Sequence, residues 1–170
     1  MVGAGATPFV DGNLVKAVGT GGLMMDAGIP ASNYQPLTAT VTLTAAQVIA
    51  AYATPEVLIP AQSGKVAVII AATVYTSSTG QTPFATGVAP IIQYDTTVHG
   101  GGTIAVGAGL VTGDITAAAS QVRTLGQAAS AVYTGLTNKA VTFSCTTAYT
   151  AGTGSTVTFV LQYLLLNATI

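Results

Sequence analysis

The string in this sequence that comes nearest to catalytic machinery is His99-Gly100-Gly101-Gly102. In some lipases and esterases an HGGG loop supplies backbone N–H groups to an oxyanion. There it works with a serine nucleophile in a G-x-S-x-G turn and with a separate histidine. No serine in this chain has those flanking glycines, and His99 is the sole histidine. The string is therefore interpreted as a glycine-rich loop.

Other reactive groups are too scattered to predict a site. A glycosidase needs two carboxylates that flank one bond, and a metal site needs clustered ligands. The five acidic residues are far apart in the sequence, at Asp11, Asp26, Glu56, Asp95 and Asp114. Cys145 lies on the apolar side of an alternating pattern, which favours a role as a small core residue. The sequence thus predicts no enzyme, no cofactor and no metal.

The segment 43–76 is the central structural element of the chain. Thr44 and Gln47 have the spacing of a capping box, which predicts a short helix that begins there and ends before Pro55. A short strand at 57–59 and a turn at 60–64 follow. These features predict a helix, a short strand and a turn ahead of one long strand.

The long strand is predicted at 65–76, where nearly every residue is apolar. Strict alternation would place Val66, Val68, Ile70 and Val74 on one face. A strand that is apolar on both faces is buried on both sides, within the domain or by a neighbouring subunit. We therefore interpret these four valine and isoleucine residues as core or oligomer contacts.

Further strands are predicted around Ile91-Ile92, at 103–106, at 140–147 and at 156–166, separated by glycine-rich turns. Asp114 is predicted to cap a helical turn that runs to residue 119. The fold class that follows is mainly β: an antiparallel β-sandwich or jelly-roll-like domain at 37–170, with one short helix and an extended N-terminal arm.

Composition indicates a chain that assembles. Only 5% of its residues are charged and its net charge is −1, whereas about 25% is usual for soluble domains. An uncharged surface promotes association, so we expect burial in an oligomer; a threonine- and serine-rich monomer is the alternative. Four dispersed cations cannot form the basic stripe that nucleic acid requires. The longest strictly apolar run, 66–72, is too short to span a bilayer, so no membrane contact is expected.

Residues 1–36 differ from the rest, because glycine, alanine, proline, asparagine and aspartate dominate there. The segment has too few apolar residues to order itself alone, so it is either a docking arm or a loose tail. Two apolar patches favour an arm that docks on a partner surface. The candidate docking residues are Leu14, Val15, Val18, Leu23, Met24, Met25 and Ile29.

Two groups of motifs resemble virion proteins of tailed bacteriophages. The first resembles a family that includes capsid decoration, or cement, proteins. It comprises 43–50 (LTAAQVIA) with Pro55, 58–61 (LIPA), Gly64-Lys65, 92–94 (IQY), 138–141 (NKAV) and the strand at 154–163. The second is similar to a "G-N-L-V … D-S-G-I" string near the N-termini of phage fibre and decoration subunits. It comprises 11–15 (DGNLV) and 25–29 (MDAGI), with Ala27 in place of the usual serine.

The resemblance implies a non-enzymatic decoration protein, made in the host cytoplasm and placed on the outer capsid surface of the virion. It implies a homotrimer whose partner is the major capsid protein, with the arm on that protein or on a neighbouring protomer. The alternative is a tail-fibre or head-fibre module that binds a host surface glycan through loops at 76–87 or 96–103, with Phe84 as the main stacking aromatic. A depolymerase ranks last, because no acid pair is apparent.

Overall fold

The computed structural model describes residues 13–18, 23–30, 35–107, 110–126 and 135–167. The chain divides into two units, Met1–Gln35 and Pro36–Ile170. In the first unit, strands β1 (Asn13–Val18) and β2 (Leu23–Pro30) pair antiparallel. The sequence pattern predicts no strand in this segment, because its apolar residues show no clean alternation.

The described residues of the second unit form eight strands in two four-stranded antiparallel sheets. The first sheet has the order β3-β10-β5-β8, and the second has the order β4-β9-β6-β7. The strands are β3 (Leu37–Thr44), β4 (Glu56–Ile59), β5 (Lys65–Ser77), β6 (Phe84–Tyr94), β7 (Thr103–Ile104), β8 (Gln121–Gly126), β9 (Val141–Ala151) and β10 (Thr156–Asn167).

The core lies between the two sheets. Phe143 of β9 and Phe159 of β10 face each other with ring centroids 5.0 Å apart, and both are fully buried. Leu43, Ile92 and Leu161 belong to the same cluster. The unit is therefore an antiparallel β-sandwich, as the sequence predicts.

Two short helices connect strands. α1 (Ala45–Ala50) begins at the predicted capping box, in which the Thr44 N–H donates to the Gln47 side chain over 3.0 Å. α2 (Thr112–Thr116) is a second helix where the fold prediction counted one. Asp114 is the third residue of this helix and not the predicted N-cap, and the helix ends at Thr116 and not at residue 119. The Asp114 carboxylate accepts the Val111 N–H over 2.9 Å. An acid at this position satisfies a free N–H at the helix start as a cap would.

A β-bulge changes which residues of β5 share a face, so the observed faces differ from the predicted ones. Along β10, Gln162 pairs with Ala71 and the next residue pairs with Ile69, so Ile70 is left without a partner. The extra residue reverses the alternation. Val66 and Val74 are in the core, but Val68 is only half-buried and Ile70 is 37% exposed. The prediction that these four residues share one face is therefore wrong.

Candidate functional site

The HGGG string lies in a loop, residues 95–103, that covers the outer surface of the second sheet. Buried polar side chains of that sheet, among them Gln93 and Thr142, bond to it. Gln93 donates to the carbonyl of Thr97 over 2.6 Å and accepts the Gly102 N–H over 2.9 Å. Thr142 donates to the carbonyl of Asp95. The loop thus provides hydrogen-bond partners for the polar side chains that it shields from water. Buried polar groups normally have such partners.

Close packing explains the glycines of this loop. A Cβ at Gly100 would lie 2.9 Å from the Ile91 side chain, and Gly100 has φ +66°. A Cβ at Gly102 would lie 2.5 Å from the carbonyl oxygen of Tyr94. The His99 ring stacks on Tyr52 at 4.1 Å. Each member of the string therefore has a packing role.

Carboxylates of the sandwich form ion pairs with single cations. Asp95 accepts from Lys139 over 2.5 Å, and this bond holds the pKa of the carboxyl below its usual range. Asp114 lies 3.8 Å from Arg123. No group of three or more metal-ligating side chains occurs in the described part of the chain. Burial raises the pKa of the Cys145 thiol to about 11, which leaves it protonated at neutral pH.

A cleft of about 130 Å³ lies between loop 95–103 and residues 135–139. The Asp95–Lys139 pair lies at its wall, and Tyr94, the one aromatic among its described lining residues, is 5% exposed. The Tyr94 hydroxyl already has a hydrogen-bond partner, since it donates to the carbonyl of Ala67. Phe84 is 2% exposed. The stacking residue on which the glycan alternative depends is thus buried in the core.

The outer face of the first sheet is exposed or half-buried along parts of all four of its strands. We call it the threonine face. Register and alternating burial define its members, none of which is buried. They are Thr38, Thr40, Thr42 and Thr44 of β3; Thr156, Thr158, Val160 and Gln162 of β10; Ala71, Thr73, Tyr75 and Ser77 of β5; and Val122, Thr124 and Gly126 of β8.

The threonine face carries no charged side chain. Arg123 of β8 lies opposite the core residue Val74, so it belongs to the other side of the sheet, where it pairs with Asp114. Two large side chains stand out on this face: Tyr75 is 47% exposed and Val122 is 62% exposed, and they lie opposite each other. An uncharged face with exposed apolar residues is typical of a contact surface between proteins.

Strand β3 forms one edge of the threonine face and was missed by the sequence analysis. Its sequence, LTATVTLT, alternates threonine with apolar residues from Leu37 to Thr44. This period-2 pattern is the signal that could have found it. Threonines point outward, while Ala39, Val41 and Leu43 point to the core.

The predicted docking residues lie on β1 and β2. Val18 is opposite Leu23, and Lys16 is opposite Met25. The register shifts between Asn13 and Val15, and no partner is assigned to Leu14. The side chains of this unit lie outside the described residues, so the docking prediction stays a prediction. Residues 1–12, 19–22 and 31–34 of the proposed arm lie outside them as well.

Comparisons with known proteins add no relative. No protein-family model matches the chain, and no match was found among curated proteins or solved structures. No helix within the described ranges is long and apolar enough to cross a membrane.

Proposed function

We propose that this chain is a structural protein of a bacteriophage virion that decorates the outer surface of the capsid and stabilises the shell. The observation that carries the proposal is the threonine face: a four-stranded sheet surface without charge and without cover among the described residues. The resemblance to virion proteins of tailed bacteriophages suggests which assembly the face contacts, a phage capsid. The proposed partners are the major capsid protein and further copies of this chain, as a homotrimer.

The two outer faces of the sandwich differ, and this contrast supports a contact role for one of them. Part of the outer face of the second sheet is closed by loop 95–103, whose bonds to Gln93 and Thr142 leave those side chains fully buried. The first sheet has no such cover in the described structure. A partner protein would cover Tyr75 and Val122, the two most exposed large residues of this face.

Burial of this face would be energetically favourable without a charged partner group. Removing apolar surface from water contributes roughly 25 cal/mol per Å², and no carboxylate or ammonium group on the threonine face would lose its hydration. Threonine hydroxyls can pair with one another, as Thr42 and Thr158 already do over 2.8 Å. In this proposal the first unit, with β1 and β2, contacts the capsid, and the sandwich contacts other copies.

Decoration stabilises a shell because a ligand that binds only the assembled state shifts the equilibrium toward it. The first test measures coating of undecorated capsids by co-sedimentation, with the full chain and with a variant lacking residues 2–36. We expect the truncated chain to remain folded and to lose coating. Unimpaired coating by the truncated chain contradicts the role of the arm.

The second test introduces one charge into the threonine face. Thr73→Lys places an ammonium group at its centre, next to Val160 and Thr124. Thr147→Lys, at an exposed position of the second sheet, is the matched control. We expect Thr73→Lys to weaken self-association, measured by light scattering, and Thr147→Lys to leave it unchanged. Equal behaviour of the two variants contradicts the proposed contact role of this face.

A further inference from the structure

The four edge strands of the sandwich are not equally protected against pairing with another chain. An exposed edge strand presents free backbone N–H and C=O groups, which natural proteins block by shortness, charge, proline or bulges. β4 has four residues and β7 has two. β8 carries Arg123. β3 has eight residues, with no charge, proline or glycine, and among the described strands it pairs with β10 alone.

We infer that the free edge of β3 is a homotypic pairing site, at which the β3 strands of two copies of this chain join antiparallel around a two-fold axis through Val41. The partner is a second copy because the strand is complementary to itself. With Val41 opposite Val41, Thr40 lies opposite Thr42, and Thr38 opposite Thr44. On the other side of the sheet, Ala39 lies opposite Leu43. Every outward pair is then threonine with threonine, and every inward pair is apolar.

The pairing of β3 with β10 shows that this strand already makes such contacts on its other side. Thr42 is opposite Thr158, with their hydroxyls 2.8 Å apart, and Thr44 is opposite Thr156. Cross-strand threonine pairs contribute favourably to sheet stability. The second copy would repeat this pattern and extend the four-stranded sheet into a continuous eight-stranded one.

The inward-pointing apolar side chains of β3 are incompletely buried, and a second β3 strand would cover them. Leu43 is 1% exposed, but Val41 and Ala39, which also point inward, are only half-buried, and Leu37 is 40% exposed. A second strand beside β3 covers the flank of these side chains. The absence of charge on β3 also means that two identical edges meet without repulsion between like charges.

This inference concerns the free protein and does not depend on the virion role. The inference is also compatible with a homotrimer. Each trimer would have three β3 edges, and pairing of these edges would join trimers to one another. A failure to coat capsids and a failure of the β3 pairing are therefore separate results.

Cysteine cross-linking of the full chain tests the axis. Directly opposed residues of antiparallel strands have Cα atoms about 4.5–5.5 Å apart, within disulfide range. Val41→Cys should therefore give an oxidised dimer, seen on a non-reducing gel as a shift from one chain mass to two. Ala39→Cys is the matched control, because the two copies of residue 39 would be about 14 Å apart. The native Cys145 is fully buried and does not interfere.

A charge variant tests the same edge without a covalent bond. Thr40→Lys combined with Thr42→Lys would set lysine opposite lysine twice across the axis, and we expect the particle mass measured by light scattering to fall by half. Salt at about 1 M, where the screening length is about 3 Å, should restore the larger mass. Thr147→Lys, at an exposed position of β9 in the second sheet, should leave the mass unchanged.

The two experiments overturn the inference if Val41→Cys fails to cross-link, or if Ala39→Cys cross-links equally well. An unchanged particle mass for the folded double lysine variant also overturns it. Recovery of the mass in high salt supports edge pairing rather than misfolding, because a folding defect would not be relieved by charge screening.

Discussion

Gly152 is a position at which one added methyl group should strongly destabilise the sandwich. Its φ is +86°, in the left-handed region, and a Cβ there would lie closer than 3.0 Å to two ring atoms of Phe84. Phe84 is 2% exposed and packs edge-to-face on the fully buried Tyr149, with ring centroids 6.2 Å apart. The ring therefore has no free space into which it can move.

The expected cost of Gly152→Ala has two parts. The left-handed backbone costs a non-glycine residue about 1–2 kcal/mol. Overpacking in a filled core adds about 1–3 kcal/mol. We therefore expect the free energy of unfolding to fall by about 2–5 kcal/mol, measured by urea denaturation followed by circular dichroism. For a chain of 170 residues, each kcal/mol corresponds to a change in Tm of about 2–4 °C.

Two other glycines serve as controls for these two parts of the cost. Gly80 has φ +74° with nothing within 4 Å of a Cβ, so Gly80→Ala should show the backbone part alone. Gly113 lies in α2 with open space and no left-handed φ, so Gly113→Ala should stabilise by up to about 1 kcal/mol. Equal losses for Gly152→Ala and Gly80→Ala would refute the argument from the Phe84 ring.

Four further predictions concern buried and capping groups. The Tyr149 hydroxyl is buried without a hydrogen-bond partner in the described structure, so Tyr149→Phe should stabilise by about 1–2 kcal/mol in urea denaturation; a loss of similar size would show that the hydroxyl has a partner. Burial raises the pKa of Tyr94 and of Tyr149. Their stabilising contribution is therefore full below the unfolded pKa of about 10 and is lost as pH rises through the folded value. Absorbance at 295 nm should show both phenols ionising with unfolding, and their ionisation in the folded protein near pH 10 would contradict this. The thiol of Cys145, fully buried with its pKa raised to about 11, should react with a thiol reagent only on unfolding; rapid labelling of the folded protein would contradict its burial. Thr44→Ala removes the cap of α1 and should cost about 1 kcal/mol, whereas Thr38→Ala, on the same strand away from the helix, should cost less.

Local signals were enough to predict the elements whose patterns are complete within a few residues. The Thr44–Gln47 capping box placed the start of α1, and the alternation at 156–166 placed β10 within one residue of its observed end. Both signals lie within a few consecutive residues, so each can be recognised without knowledge of distant partners. The sandwich class followed from several such strands separated by glycine turns.

Non-local pairing explains what the sequence could not predict. The bulge at Ile70 arises because no residue of β10 pairs with Ile70. The sequence of 65–76 alone does not predict it. The order of the strands, with β10 between β3 and β5, also depends on distant partners. β3 is different, because its alternation is visible in the sequence and was overlooked. Predicting the threonine face would require both the β3 strand and the strand order, since the face is formed only when β3, β10, β5 and β8 lie side by side.

The position of β10 also determines when the first sheet can form during synthesis. β10 is the last strand of the domain in chain order, yet it pairs with both β3 and β5 along most of its length. Until residues 156–167 have left the ribosome, β3 has no strand partner and β5 can pair only with β8. Such long-range pairings slow folding. A nascent chain therefore lacks the strand that joins β3 to β5 until residues 156–167 have been made, and the first sheet can form only after that.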